Sequence, residues 1–254
     1  MKKMLLLAAF SVPAYGAVCN PRTFHGVYGF QLSGDTTISG DKKQAVSIGR
    51  LVFDGSGGVS GYSSVNYAGF LLGNPTTGTY EAHTDCSVTW SLQDDSGAYQ
   101  HFGGTMTGDA KRVVFAQTDP GGPGHGSMVL TPQACTASAL QQKYRFSVSG
   151  SYTPMEAGQS ADTISVSGKA EVQGGKLALH VTDKPVPGDG TFDVDGDCVV
   201  TMDLNLPPNA ATGAATTINL RGMLVDDGKE ILAIQTDPGA AVTARFIAEP
   251  VPVP

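Results

Sequence analysis

Residues 117–121 read Gln-Thr-Asp-Pro-Gly, and residues 235–239 repeat the same five residues without a change. A repeat this long, recurring once at a distance, points to an internal duplication of a whole domain. The pentapeptide predicts a type II turn, in which Pro sets the backbone of the second position and Gly supplies positive φ at the third. Its Asp can hydrogen bond the turn backbone, which gives the repeated carboxylate a structural role.

The four cysteines support the duplication. The spacing from Cys19 to Cys86 nearly equals the spacing from Cys135 to Cys198. Alignment on these cysteines matches Tyr28 with Tyr144, Phe30 with Phe146, Gly78-Thr79-Tyr80 with Gly190-Thr191-Phe192, and Asp85 with Asp197. Four cysteines allow three pairings. The duplication favours one disulfide per copy, Cys19–Cys86 and Cys135–Cys198.

The chain begins like an exported protein. Two lysines precede an apolar run over 4–10, and small residues follow around position 17. This pattern is typical of a secretory signal peptide, and the run is too short to span a bilayer. We expect a signal peptide over 1–17, a first repeat over 18–132, a second over 133–250 and a Pro-rich tail over 251–254. Export to the periplasm or the medium also suits disulfides.

Within each repeat the hydrophobic residues alternate with polar or small ones. Tyr28, Phe30 and Leu32 share one face of a strand, and Trp90 and Leu92 show the same period in another. Period two bounded by turn residues is typical of half-buried strands. In the first copy we expect strands near 24–33, 44–53, 58–66, 77–82, 85–93, 98–107, 111–118 and 125–131. The sequence therefore predicts an all-β protein of two tandem homologous antiparallel domains of about eight strands, each a small barrel or alternatively a sandwich.

The hairpin before each second cysteine needs an odd number of loop residues, because Tyr80 and Trp90 share a buried face. We predict a three-residue loop over 194–196 with Gly196 in the left-handed region. The cross-strand pairs expected from this loop are Phe192 with Cys198 and Tyr80 with Cys86.

Composition excludes some functions. The net charge of −7 and pI near 5.1 argue against nucleic acid as a partner, because phosphates need cationic side chains. The histidines do not recur between the copies, which argues against an inherited catalytic or metal site; they are His25, His83, His101, His125 and His180. We predict no cofactor and no membrane-spanning segment.

One acidic run imitates a calcium loop. Asp193, Asp195 and Asp197 alternate as in such loops, but Cys198 stands where the loop needs Gly and Leu204 where it needs Glu. We therefore predict no metal site and interpret these residues as solvent-exposed charge on a sheet.

The interior of each barrel leaves two alternatives. The aromatic candidates for a ligand-binding lumen are Tyr28, Phe30, Tyr80, Trp90, Tyr144, Phe146 and Phe192, with Phe102 and Phe115 beside them. Side chains usually fill an eight-stranded barrel, so a filled core is the first expectation and a ligand pocket the alternative.

The motifs Gly-Val-Tyr-Gly-Phe (26–30), Val-Phe-Asp-Gly-Ser-Gly (52–57), Thr-Gly-Thr-Tyr (77–80) and Gln-Thr-Asp-Pro-Gly resemble a group of exported bacterial proteins. Most members of this group have no assigned function and many are tandemly repeated. More distantly, the pattern is similar to calycin-type barrels, including those like allene oxide cyclase. That resemblance implies a lumen able to bind or isomerise an apolar molecule, but it transfers no catalytic residue to this chain.

Three functions therefore stay open. The first is a non-enzymatic exported module that binds a surface partner or acts structurally. The second is a lipocalin-like barrel that binds a small apolar molecule, which needs a lumen of roughly 300 Å³ or more. The third is a cyclase, isomerase or hydrolase, which needs a buried polar group in the lumen. The polar residues to inspect for that role are Arg50, Arg145, Glu171 and His180.

Overall fold

The fold is a pair of closed β-barrels joined in tandem. The computed structural model describes residues 18–38, 41–67, 70–120, 124–136, 140, 143–152, 162–207 and 216–250. The expected signal peptide and Pro-rich tail lie outside these residues. Among the described residues, no helix is long and apolar enough to cross a membrane.

Each barrel has eight antiparallel strands. The first barrel contains β1 (Gly26–Ile38), β2 (Asp41–Phe53), β3 (Gly58–Tyr67), β4 (Phe70–Ala82), β5 (Ser87–Asp94), β6 (Tyr99–Met106), β7 (Arg112–Gln117) and β8 (His125–Leu130). The second contains β9 (Lys143–Tyr152), β10 (Asp162–Gln173), β11 (Lys176–Val181), β12 (Gly188–Val194), β13 (Val199–Leu206), β14 (Thr216–Val225), β15 (Glu230–Gln235) and β16 (Ala240–Ala248).

Every strand pairs with its neighbours in sequence, and the first and last strands of each set close the ring. This up-and-down order confirms the predicted all-β pair of barrels and excludes the sandwich. Closure leaves neither barrel with an open sheet edge, which removes the usual site of strand-to-strand aggregation.

One buried tyrosine hydrogen bond occurs in both barrels. Tyr28 donates its hydroxyl to the carbonyl of Ala110 at 2.6 Å, and Tyr144 donates to the carbonyl of Gly228 at 2.7 Å. Burial raises the pKa of both phenols, so each hydroxyl stays a donor across the neutral range. The bond ties the first strand of each barrel to the turn before its seventh strand.

The repeated pentapeptide also has one structural role in both barrels. Asp119 accepts from the backbone N–H of His101 at 2.7 Å, and Asp237 accepts from the backbone N–H of Asn219 at 3.0 Å. The carboxylate therefore holds the neighbouring strand. At the second copy, Gly239 has a φ of 79° and Ala240 donates to the Asp237 carbonyl, which fits the expected type II turn.

The predicted disulfides are present, with Cα atoms 5.0 Å apart in Cys19–Cys86 and 5.1 Å apart in Cys135–Cys198. The hairpin prediction was wrong in position. The three-residue loop spans 196–198, closed by Asp195 and Val199, and Cys198 holds the left-handed conformation with φ 64°. Consequently Phe192 pairs with Met202, and Tyr80 with Trp90.

The two barrels pack directly against each other. Val46, Ile48 and Val129 of the first barrel belong to the hydrophobic cluster of the second, and β15 is buried along its whole length. Gly29 is required at this contact, because a Cβ there would lie 2.7 Å from side-chain carbons of Met223 and Val225.

Polar contacts fix the alignment of the barrels. Gln31 donates to the carbonyl of Ala233 at 2.6 Å, and Asn66 donates to the carbonyl of Gln235 at 2.8 Å. Both amides satisfy backbone carbonyls that the contact removes from water.

A buried carboxylate lies in the same contact. The Glu230 side chain is only 4 % exposed and accepts from Arg112 of the first barrel at 2.5 Å and from Arg245 of the second at 2.6 Å. A charge buried this deeply requires such partners, so the pair of guanidinium groups stabilises the contact between the barrels.

Candidate functional site

The first barrel is closed at one end by aromatic packing. Phe24 and Phe53 lie 4.6 Å apart between ring centroids, and Tyr80 lies 5.0 Å from Phe53. Tyr80 also donates to the carbonyl of Phe24, which holds the N-terminal segment against the barrel. The Cys19–Cys86 disulfide joins this segment to the β4–β5 turn at the same end. Side chains therefore fill this half of the lumen.

The opposite half contains a cavity of about 600 Å³. Its lining comes from all eight strands or the residues that flank them. It includes Trp90 and reaches the ends of β1, β3, β5 and β7. This volume lies within the range of small-molecule sites, roughly 300–1,000 Å³. The expectation of a fully filled lumen therefore fails for this half of the first barrel.

The inner wall of the cavity is aromatic. Trp90 stacks on Phe102 with ring centroids 5.2 Å apart and meets Phe115 edge-on at 5.1 Å. Phe30 and Leu92 complete this wall. Each of these residues is at most 6 % exposed, and rigid aromatic surfaces of this kind bind apolar ligand surface at little entropic cost.

Two buried polar atoms of the lining lack partners. The Trp90 Nε1 atom and the Thr76 Oγ1 atom have no hydrogen-bond partner in the described part of the chain, although the two residues are only 4 % and 7 % exposed. An unsatisfied buried donor costs about 1–3 kcal/mol. A ligand or water that accepts from the indole N–H would recover this energy.

The outer part of the lining is polar. It consists of Asp35, Asn74, Asp94, Gln100, Gln117 and Asp119. These residues lie toward the strand ends that form the mouth. The cavity therefore combines an apolar interior with a hydrogen-bonding rim, the arrangement expected for an amphipathic ligand.

Hydrogen bonds keep two rim carboxylates ionised. Ser96 donates its hydroxyl to Asp94 at 2.6 Å and holds the pKa of that carboxyl below its ordinary value. For Asp119, partial burial pushes the pKa upward, but hydrogen bonds from His101 and Gln117 outweigh it and lower the pKa. The mouth is therefore negatively charged at neutral pH.

The second barrel differs at the equivalent positions. Leu206 and Ile218 stand where the first barrel has Asp94 and Gln100, and they are only 6 % and 0 % exposed. Ala233 replaces Phe115 of the cavity wall. Gln117 and Asp119 of the rim recur as Gln235 and Asp237, so the polar residues peculiar to the first barrel are Asp94 and Gln100, and the fold does not require those two.

The structure separates the sequence-predicted lumen residues into groups. Phe30 and Trp90 line the cavity together with Phe102 and Phe115. Tyr28 and Tyr80 lie in the aromatic cluster at the closed end. In the second barrel, Tyr144, Phe146 and Phe192 belong to its hydrophobic cluster and are at most 4 % exposed.

The polar residues singled out for a catalytic role lie outside the cavity. Glu171 pairs with Lys143 at 2.7 Å on the surface, and Arg50 pairs with Asp197 of the other barrel at 3.7 Å. Arg145 and His180 are exposed on strands of the second barrel. None of these four side chains lines the cavity.

The acidic run in the second barrel stabilises a turn. Asp195 accepts from the backbone N–H groups of Asp197 and Val199, both at 2.9 Å. Across the described ranges, no three His, Cys, Asp or Glu side chains are grouped to hold a metal ion.

Sequence patterns did not indicate the rim or Glu230, because both depend on which strand ends meet in space.

Comparison with known proteins gives only remote matches. No protein-family model matches the chain, and no curated protein matches it. The solved structures matched include transferrin-binding protein B of Neisseria meningitidis serogroup B, which is 7 % identical, with a TM-score of 0.36, and the match covers 88 % of this chain and 76 % of that one.

Two further matches are similar in extent. A mutant of transferrin-binding protein B from Haemophilus parasuis is 8 % identical with a TM-score of 0.32, covering 89 % of this chain and 76 % of that one. A porin-like protein from Bacteroides uniformis is 8 % identical with a TM-score of 0.20, covering 92 % of this chain and 100 % of that one. We therefore base the functional proposal on the cavity.

Proposed function

We propose that this chain is an exported, non-enzymatic binding protein whose first barrel takes up a small amphipathic molecule. The observation that carries the proposal is the cavity of about 600 Å³ beside Trp90. Its aromatic wall suits an apolar ligand body, and its rim suits a polar end. This geometry favours the lipocalin-like alternative over a module with two filled barrels.

The unpartnered indole N–H adds a chemical requirement. Because Trp90 Nε1 and Thr76 Oγ1 are buried without partners among the described residues, a ligand with a hydrogen-bond acceptor beside them gains more than a pure hydrocarbon. The second barrel acts as a scaffold in this proposal. It covers part of the outer face of the first barrel and has aliphatic residues where the first has Asp94 and Gln100.

Export is the second part of the proposal. The protein contains two disulfides. Disulfides persist in oxidising compartments and are rare in the cytosol. Together with the signal-like sequence over 1–17, they support cleavage near residue 17 and function in the periplasm or the medium. N-terminal sequencing of the mature protein tests this: a first residue close to 18 supports export, and an intact N-terminus contradicts it.

Intrinsic fluorescence tests the binding site directly, because Trp90 is the chain's single tryptophan. We expect 4-phenylbutan-1-ol, which does not absorb at the excitation wavelength of tryptophan, to change the emission of Trp90 in a saturable way. Emission that stays constant up to the solubility limit of the alcohol would contradict the proposal.

A matched pair of variants distinguishes the lumen from the surface. Ser63 lines the cavity on β3, whereas Ser60 lies exposed on the same strand. Ser63→Phe fills the cavity and should abolish the fluorescence response, while Ser60→Phe should leave it unchanged. Equal loss in both variants, or in neither, would place binding outside the cavity.

A further inference from the structure

The residues that line the cavity carry charge of one sign. Asp94 and Asp119 contribute two carboxylates, Asp35 lies exposed at the same rim on the outer face of β1, and the described lining contains no Lys, Arg or His. A basic group lies beside one of them, since a ring nitrogen of His101 is 2.7 Å from Asp119. Asp94 instead accepts from backbone and hydroxyl donors of its own turn.

Acidic residues alone do not define a site, and here a second observation points to a ligand. Trp90 and Thr76 line the same cavity, and each leaves a buried polar atom without a partner among the described residues. Phe102 stacks on the Trp90 indole and Phe115 meets it edge-on, so this ring belongs to the apolar wall. The cavity therefore presents carboxylates at its mouth and an apolar wall within.

The comparison between the barrels shows that the fold does not demand the charge of Asp94. The second barrel has the aliphatic Leu206 and Ile218 where the first has Asp94 and Gln100, and it closes in the same topology. Carboxylates gathered around a pocket repel one another and cost stability unless a cation neutralises them.

On the basis of the proposed function, we propose that the ligand of the first barrel is a cation: an organic ammonium with an apolar body. The body packs against the aromatic wall and presents its acceptor to the Trp90 N–H, and the ammonium group lies at the mouth among the carboxylates. The same charges exclude anionic amphiphiles such as fatty acids. The carboxylate of such a ligand would lose water on binding and would be repelled by the carboxylate of Asp94.

Three probes with one hydrocarbon body test the charge: 4-phenylbutylammonium, 4-phenylbutan-1-ol and 4-phenylbutyrate, each titrated against Trp90 fluorescence at low salt. We expect the cation to bind at least about tenfold more tightly than the anion, with the alcohol between them. In 1 M NaCl the difference should shrink, since the Debye length falls to about 3 Å.

A pair of charge variants locates the effect. Asp94→Asn should bring the affinities for the cation and the anion closer together, and the amide oxygen that it introduces still offers an acceptor to the turn. Asp193→Asn removes the same charge from an exposed position of the second barrel and should leave the preference intact.

The outcomes separate the two proposals. Equal binding of all three probes, or tighter binding of the anion, would overturn the cation preference while leaving the cavity as a binding site. An unchanged preference in the rim variant would also overturn it. Failure of every probe to bind would overturn the proposed function itself. If the rim variant does not fold, the salt dependence of the wild-type protein decides the charge.

Discussion

Replacement of Glu230 by Gln should destabilise the protein far more than the same change at Glu171. Both carboxylates accept hydrogen bonds shorter than 3 Å from cationic side chains, but the Glu230 side chain is 4 % exposed and the Glu171 side chain 47 %. Removing the charge at Glu230 leaves the guanidinium groups of Arg112 and Arg245 facing each other.

The magnitude follows from burial. Losing one partner of a buried ion pair costs about 3–5 kcal/mol. Because Arg112 and Arg245 are 29 % and 43 % exposed and can turn toward water, we place Glu230→Gln near the lower end, at about 3 kcal/mol. An exposed pair such as Glu171 contributes about 0.5 kcal/mol.

Differential scanning calorimetry measures the difference. For a chain of this length about 3 kcal/mol corresponds to a fall in Tm of roughly 6–12 °C, and about 0.5 kcal/mol to a fall of roughly 1–2 °C. Arg112→Met in the Glu230→Gln background should add little, because that arginine has already lost its partner. Equal Tm shifts for the Glu230 and Glu171 variants would refute the assignment of Glu230 as a buried link between the barrels.

Three further predictions concern the fold. We expect the two packed barrels to unfold in one thermal transition. Gly29→Val should split it into two, because its side chain forces Met223 away. Gly103→Ala, with its nearest neighbour 3.5 Å away, should keep one transition. Reduction of both disulfides should lower the free energy of unfolding by about 4 kcal/mol for each loop, of 67 and 63 residues. We expect this as a lower urea midpoint, and an unchanged midpoint would contradict it. Hydrogen bonds from Ser56 and Gly58 lower the pKa of Asp54 below 3.8, so the ionised carboxylate stabilises the folded protein above pH 3.8, and this stabilisation is lost as the pH falls through the lowered pKa. Asp54→Asn should therefore make the urea midpoint depend less steeply on pH in acid. An equally steep dependence in the variant would rule this out.

The sequence predicted the architecture well, because each signal was local or repeated. Period-two alternation located all eight strands of the first barrel, and the duplication selected the disulfide pairs. The misplaced hairpin loop shows the limit. Propensity assigned the left-handed position to Gly196, but the structure gives it to Cys198.

The candidate site was only half predictable. Alternation shows which face of a strand points inward, but it does not give height along the barrel axis. Tyr28 and Phe30 therefore look equivalent in sequence, although one lies at the closed end and the other lines the cavity. The apolar run of β15 did contain a signal for the barrel contact, since a strand buried on both faces reads as continuous hydrophobic sequence.

The indole N–H of Trp90 provides the most direct test of the binding site. As the chain's single tryptophan, it gives one indole cross-peak in a ¹⁵N–¹H correlation spectrum. We expect 4-phenylbutan-1-ol to shift this peak in a saturable way, because its phenyl ring packs beside the indole in the cavity, and we expect no shift in Ser63→Phe. An indole peak that stays in place at saturating alcohol would contradict a ligand site in the first barrel.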